Sequence, residues 1–434
     1  MTDTEDHGKP VKEGGPSGDA AAGTALSRAP VRAGDRFESL DVLRGVAVLG
    51  ILMVNVQAFM MYANAYVYPP AHMDVSGANA TAWLVTHVFF ELKFITLFSA
   101  MFGAGVMLMV GDARDASKAL HFSRMRWLLA FGVVHMFALW FGDVLTAYAI
   151  AGFIIVHFRH MSATKLIVWG LALIALAGVL MIGLFGLFAV IPEDAGMSDV
   201  DLGMRLEPDA LQALVASYQD GWLSSRLANA MNAGGSLFSL AFFGGRIIGV
   251  MFIGMALYKL GFLTAKWSVG AYLAALVAGL GVGLPLVAWG GLAAVEDGFA
   301  LEALWRHTAT NYVGSLFMAF GYAAAVMLIC KAPWLKLVRL PFAAAGRMAF
   351  TNYLTQTIVM VGLSVGWFGP ALFGELERAQ QVQLVLVVWI VQLIVSPIWL
   401  SVFRFGPFEW LWRSLSYGKV QPFMKPRVQE ARPA

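Results

Sequence analysis

His135 and Asp143 are the two residues whose types and spacing invite a chemical reading first. A histidine that is neutral near pH 7 can act as a general base, and a carboxylate beside it can tune or orient it. Eight residues separate the two, the pattern HxxxxxxxD. On a straight helix that places them about 12 Å apart along the axis and about 80° apart in rotation. They meet directly only if the chain folds back on itself, and the pair Gly142-Asp143 is where an apolar run breaks. Catalysis and a purely structural hydrogen bond both remain open for His135.

Other polar residues fall inside apolar runs: Asp41, Arg44, His87, Glu91, Lys93 and Arg246, with the amides Asn55, Asn352 and Gln356. An ionisable group at membrane depth costs at least about 2.5–3.5 kcal/mol, so each needs a partner or a function. Asp41 and Arg44 are three apart and share one turn of helix; Asp41 can brace the Arg44 guanidinium toward a phosphate, or Arg44 can be a snorkelling anchor. His87 and Glu91 are four apart and share a face, from which the same helical register points Lys93 away. Ser99, Gly103 and Gly105 allow close helix approach. Asn352 and Gln356 share a stripe, suited to bonding a neighbouring helix or lining a polar pocket, with Arg347 at its start. No metal constellation is visible: His157 and His160 have no Cys, Asp or Glu near them in sequence.

These residues must be positioned by membrane-spanning helices. Of 434 residues 59% are hydrophobic and 13% charged, against about 45–50% and about 25% in soluble chains. Mean hydropathy is +0.70. The net charge of +3 and the scattered basic residues speak against nucleic acid as a partner. One cysteine, Cys330, excludes an intramolecular disulfide. The predicted fold is all-α: a polytopic transmembrane helical bundle of about ten spans in contact with the lipid bilayer. The spans are expected near 40–62, 83–110, 127–141, 144–158, 166–191, 236–258, 269–293, 308–330, 348–367 and 382–403. Basic and non-basic connections alternate throughout, which under the positive-inside rule places both termini in the cytoplasm. Residues 1–36 read as a disordered cytoplasmic tail and 423–434 as a basic tail. The N-terminal transmembrane region is 37–265, and its outer loop, 192–235, is mostly acidic. Within that loop Leu211, Leu214, Val215 and Tyr218 fall at helical spacing, fitting either an interfacial helix or a simple connection.

The segments SLDVLRGVAVLGILMVNVQAF (39–59), LFSAMFGAG (97–105), GVVHMFALWFGDVLTAYAIAG (132–152), GRMAFTNYLTQT (346–357) and FGPFEWLWRSLSYG (405–418) resemble the YeiB-like membrane-protein family. The part from 266 to 422 resembles that family's C-terminal domain of unknown function. The LD-x-x-RG opening is also similar to the start of transmembrane acyltransferases of the heparan-α-glucosaminide N-acetyltransferase type. That similarity implies acyl-CoA as a cytosolic co-substrate, no bound cofactor, and an acceptor (sugar, lipid or other small molecule) on the far side. In the related enzymes that modify surface sugars, the position fourteen after the Asp of LD is a catalytic histidine; here it is Asn55, and an amide is no base. The glucosaminide type has its working histidine in the following loop, where His72 is the counterpart to weigh against His135.

The resemblance implies an acyltransferase in which Arg44, braced by Asp41, and Arg347 contact acyl-CoA phosphates. His135 takes the acceptor's proton, Asp143 tunes His135 or orients the acceptor, and Asn55 and Lys93 polarise the thioester carbonyl and stabilise its oxyanion. Arg246, Asn352 and Gln356 complete the set of substrate-binding candidates. A small-molecule transporter is the alternative, because buried charges and a broken third-to-fourth segment also suit a substrate path. A non-catalytic scaffold or sensor is the third. The expected location is a bacterial-type inner membrane, by family analogy. No motif encodes the oligomeric state, monomer or homodimer.

Overall fold

Long apolar runs become helices because in lipid every backbone N–H and C=O must be satisfied within its own segment. The structure, a computed structural model, describes residues 37–111, 116–191 and 195–425. The two predicted tails lie outside it, apart from 423–425 of the second. The described residues form fourteen α-helices and, as pairing between extended segments, one isolated bridge, Phe403 with Met424.

In chain order the first five are α1 (Glu38–Met60), α2 (Gly77–Phe89), α3 (Lys93–Val110), α4 (Ala116–Val134) and α5 (Leu145–Ile155). The middle of the chain forms α6 (Ala163–Gly186), α7 (Pro208–Gln219), α8 (Arg226–Lys259), α9 (Val269–Glu296) and α10 (Leu304–Lys331). The last four are α11 (Lys336–Arg347), α12 (Ala349–Ser364), α13 (Arg378–Val402) and α14 (Pro407–Tyr417).

Six segments are long and apolar enough to cross a membrane: α1, α2 with α3, α6, α9, α10 and α13, and α8 makes a seventh if its two halves, bent by 59°, count as one span. The chain is thus a multi-pass helical membrane protein. The three other expected spans coincide with α4, α5 and α12, which are shorter or more polar. A count of ten and cytoplasmic termini continue to rest on the alternation of charge.

The bundle has a centre and a rim. In α1, 78% of the apolar window is buried, against 22% in α6 and in α13. Trp169, Leu176 and Val179 of α6 and Ile390, Ile394 and Ile398 of α13 point outward and are more than half exposed, as lipid-facing side chains are. The central α1 packs against α3, α11, α12 and α13, so the regions before and after residue 265 share one core.

Close approach is set by glycine. A Cβ on Gly45 of α1 would strike the backbone of Phe342 and Gly346, and one on Gly346 would strike Asp41 and Gly45. On the α3–α8 contact, Gly103 lies against the Met251 carbonyl and Gly254 against that of Ala100. Gly105 has open space around its Cβ position, so the expected close approach holds at Gly103 and not at Gly105.

Three short helices lie outside the spans, and the first of them, α7, is the helix that the spacing in the outer loop allowed. The outer loop contains α7, and its Leu214, Val215 and Tyr218 face the protein core, Tyr218 stacking on Phe373 at 3.8 Å. The face that suggested a membrane surface is satisfied by protein. The helices α11 and α14 fall outside the expected spans, the first between 330 and 348 and the second after 403. Glu409 of α14 holds the start of α12: its Oε1 accepts from the Phe350 and Thr351 N–H at 2.7 and 3.0 Å, and its Oε2 from the Thr351 hydroxyl at 2.5 Å. These are N–H groups that a helix start leaves without intrahelical partners.

Candidate functional site

The break between α4 and α5 places His135 and Asp143. From His135 to Leu139 the helix widens into a single π turn, and Trp140 then turns fully extended. Wide turns of this kind accommodate an extra residue and often accompany functional sites. The chain doubles back, and Asp143 Oδ1 comes to 2.9 Å from His135 Nδ1, with side chains 0% and 1% exposed. The 12 Å separation of a straight helix is thereby removed. The approach is oblique to the ring N–H direction, so it is a close electrostatic contact and not an aligned hydrogen bond. Hydrogen bonds at catalytic centres are often misaligned until substrate is present.

Asp143 is held from its other side by the start of α5. Its Oδ1 accepts from the Leu145 N–H at 3.1 Å and its Oδ2 from the Thr146 N–H at 2.7 Å. Gly132 makes room for this turn: a Cβ there would meet Thr146 and the Asp143 carboxylate. On the far side of the imidazole, Nε2 lies 2.9 Å from the Thr357 hydroxyl of α12. Tyr353, one turn earlier on α12, places its ring 5.2 Å from the imidazole, and its hydroxyl accepts from the Val144 N–H at 3.4 Å.

The result is a buried line, Asp143–His135–Thr357. An ionised Asp143 carboxylate can only accept, and its nearness favours the tautomer with the ring hydrogen on Nδ1. The lone pair of a neutral imidazole then sits on Nε2, facing the Thr357 hydroxyl. This is the carboxylate–imidazole–hydroxyl order by which hydroxyl nucleophiles and acceptors are activated.

The remaining candidates separate into three groups. Asp41 and Arg44 pair at 3.0 Å, as their spacing predicted. Arg124 lies within electrostatic reach of Arg44 and Arg413. Its guanidinium stacks 4.2 Å over Trp412, its Nη1 lies 3.3 Å from the Met109 sulfur, and its buried Nε has no hydrogen-bond acceptor. Arg44, Arg124 and Arg413 thus lie within electrostatic reach of one another, with Asp41 paired to Arg44.

A second buried cluster forms at the break between α2 and α3. Leu92 adopts a left-handed conformation (φ 64°), which turns Lys93 back toward α2. Its Nζ donates to the His87 carbonyl at 2.7 Å and to Asn311 Oδ1 at 2.5 Å. The expectation that Lys93 points away from His87 is therefore corrected: it assumed one uninterrupted helix. His87 pairs with Glu91 at 2.7 Å and stacks on Trp83. Arg246 donates to the Tyr312 carbonyl and to the Thr96 and Ser315 hydroxyls at 2.9–3.1 Å. Lys93 and Arg246 are thus engaged with each other's neighbours on α3 and α10 and not with His135.

The amide stripe of α12 bonds to α13: Asn352 to Ser396 at 3.2 Å and Gln356 to Gln392 at 2.8 Å. Of its two readings, interhelical bonding is the one seen. These bonds fix the height of Thr357 against α4. Asn55 is half-buried and makes no side-chain hydrogen bond among the described residues. Among those residues, no group of three His, Cys, Asp or Glu converges as metal ligands would.

The family described as "Protein of unknown function (DUF418)" matches residues 257–419. The chain is 31% identical over 404 residues to the "Uncharacterized protein YeiB" of Escherichia coli (strain K12), covering 89% of this chain and 98% of that protein. This chain belongs to the YeiB-like family. Within that family it is also 32% identical over 415 residues to the "Uncharacterized protein YxaH" of Bacillus subtilis (strain 168), 91% of this chain and 98% of that one. Both YeiB-like relatives are matched over about nine-tenths of this chain, so the likeness extends well beyond the C-terminal match.

His72, the other candidate histidine, is built into the loop after α1. Its Nδ1 accepts the Tyr62 N–H at 2.9 Å. Burial, reinforced by the nearby Arg378 cation, pushes its pKa down from 6.5 to about 4. The unfolded chain therefore binds more protons than the folded one between those values. Stability should be complete above pH 6.5 and be lost as pH falls through 4. The thermal midpoint of purified protein should drop between pH 7 and pH 5, and His72→Gln, which keeps an acceptor for Tyr62, should flatten that drop. Identical pH dependence in both proteins would remove His72 from this account.

Proposed function

We propose that this protein is a membrane-bound acyltransferase that moves an acyl group from cytosolic acyl-CoA to a hydroxyl or amine of an extracytoplasmic acceptor in a bacterial-type inner membrane. The observation that carries the reading is the buried Asp143–His135–Thr357 line, which offers an imidazole lone pair to a hydroxyl inside a water-poor core. His135 removes the proton from the attacking group and Asp143 stabilises the imidazolium that results. Arg44, Arg124 and Arg347 supply cationic contacts for the donor's phosphates. Asn55 on α1 is the amide left to polarise the thioester carbonyl; Lys93 is excluded from that role by its bonds to His87 and Asn311. The similarity of the LD-x-x-RG opening to transmembrane acyltransferases supports the same donor.

Transport is the second reading. The breaks within α2–α3 and α4–α5 place non-helical backbone and buried charge at depth, a feature of substrate paths in transporters.

Calorimetric titration of acetyl-CoA and a longer acyl-CoA into detergent-purified protein tests the donor. Saturable micromolar binding is expected. Arg44→Ala or Arg124→Ala should weaken it roughly 10- to 100-fold, because a hydrogen bond to a charged group contributes about 1.5–3 kcal/mol. Absence of binding across the panel would remove the donor and favour transport.

A further inference from the structure

Thr357 faces His135 across 2.9 Å and is 1% exposed; its single hydroxyl hydrogen can go to the Tyr353 carbonyl at 3.3 Å or to the imidazole, and the Nδ1–H tautomer directs it to Nε2. Resting on the acyl-transfer reading above, we infer that Thr357 is a covalent nucleophile, so that the reaction passes through an O-acyl-threonine and the two substrates need never be bound together. The argument is positional. The general base has a single described partner on its reactive nitrogen, and that partner is the threonine hydroxyl. Any acceptor brought to His135 must first displace Thr357, whereas Thr357 needs no displacement to react.

The steps balance. Thr357 Oγ1 attacks the thioester carbonyl carbon while its proton passes to His135 Nε2. The tetrahedral adduct collapses, the carbon–sulfur bond breaks, and the departing CoA thiolate takes that proton. An acceptor hydroxyl or amine then attacks the ester carbonyl and gives its proton to Nε2. The carbon–Oγ1 bond breaks and Thr357 recovers the proton. The dry surroundings protect the ester from hydrolysis. The bolts from Asn352 and Gln356 to α13 hold the nucleophile at the height of the base. An acceptor on the opposite side of the membrane from the donor suits such a relay, because the acyl group can wait on the protein between the two.

The experiment needs no knowledge of the acceptor. Labelled CoA is incubated with unlabelled acetyl-CoA and purified protein, and label appearing in acetyl-CoA reports reversal of the first half-reaction. In parallel the acid-quenched protein is digested, and the peptide carrying Thr357 is examined for the added mass of one acetyl group. Exchange in wild type and in Thr357→Ser, its fall by at least about 100-fold in Thr357→Val, and an acetylated Thr357 peptide are expected. Exchange that persists in Thr357→Val overturns the assignment. Acetyl-CoA binding in wild type with neither exchange nor adduct also overturns it and leaves direct transfer in a ternary complex. No acetyl-CoA binding at all sinks the acyl-transfer reading itself. Thermal unfolding and acetyl-CoA binding of Thr357→Val verify that the variant is folded, and the adduct in wild type does not depend on any variant.

Discussion

Replacing His135 with alanine should lower acyl transfer by about 10²–10⁴-fold, the contribution typical of a positioned general base, while acyl-CoA binding stays within a few-fold of wild type. The loss is assigned to the chemical step because His135 lies at the π turn and not in the arginine cluster proposed to bind the donor. Asp143→Asn should fall in the same range. An amide oxygen can still accept from Leu145 or Thr146, so α5 keeps part of its start, but the negative charge beside Nδ1 is gone. Asp143→Ala should behave differently again: it leaves two buried N–H groups unpaired and should cost about 1–3 kcal/mol of stability for each group left without a partner. Activity assays paired with thermal unfolding separate the two effects. Full activity in both His135→Ala and Asp143→Asn would end the mechanism.

Gly346→Val should prevent accumulation of folded protein. The side chain would have to occupy space filled by the Asp41 carbonyl and the Gly45 backbone. Overpacking a core costs about 1–3 kcal/mol when side chains can move; here the obstacle is helix backbone, so the cost should exceed that range. The two motifs joined by this contact carry Arg44 and Arg347, so a splayed α1–α11 pair would also scatter the arginines. Monodispersity in size-exclusion chromatography and the thermal midpoint are the measurements. Gly105→Ala is the control, expected to be neutral because open space surrounds its Cβ. Wild-type stability in Gly346→Val would show that the α1–α11 contact is not as close as described.

Span length and hydrophobicity are written locally, and so the long helices were legible. The run expected at 269–293 is α9, Val269–Glu296, and the run at 382–403 is α13, Arg378–Val402. Amphipathic helices of twelve or eleven residues, α11 and α14, carry no span signal and were read as connections. At the site, His135 and Asp143 were legible as a pair at a break, because their types are costly in lipid. Their contact was not, because a π turn followed by an extended residue has no compositional signature. Thr357 was invisible for another reason: it is an unremarkable hydroxyl 222 residues further along the chain, and only packing of α12 on α4 makes it the imidazole's neighbour. Lys93 was misdirected by Leu92, a non-glycine residue in the left-handed region that no periodicity anticipates.

The central claim is that acyl groups leave CoA on this protein through His135. Inside-out membrane vesicles containing wild type or His135→Ala would be given acetyl-CoA labelled separately in the acetyl and the adenine. The account predicts acetyl label in a non-thioester product, adenine label remaining outside as free CoA, and neither change with His135→Ala. Both labels entering the vesicles together, or acetyl transfer undiminished in His135→Ala, would contradict it.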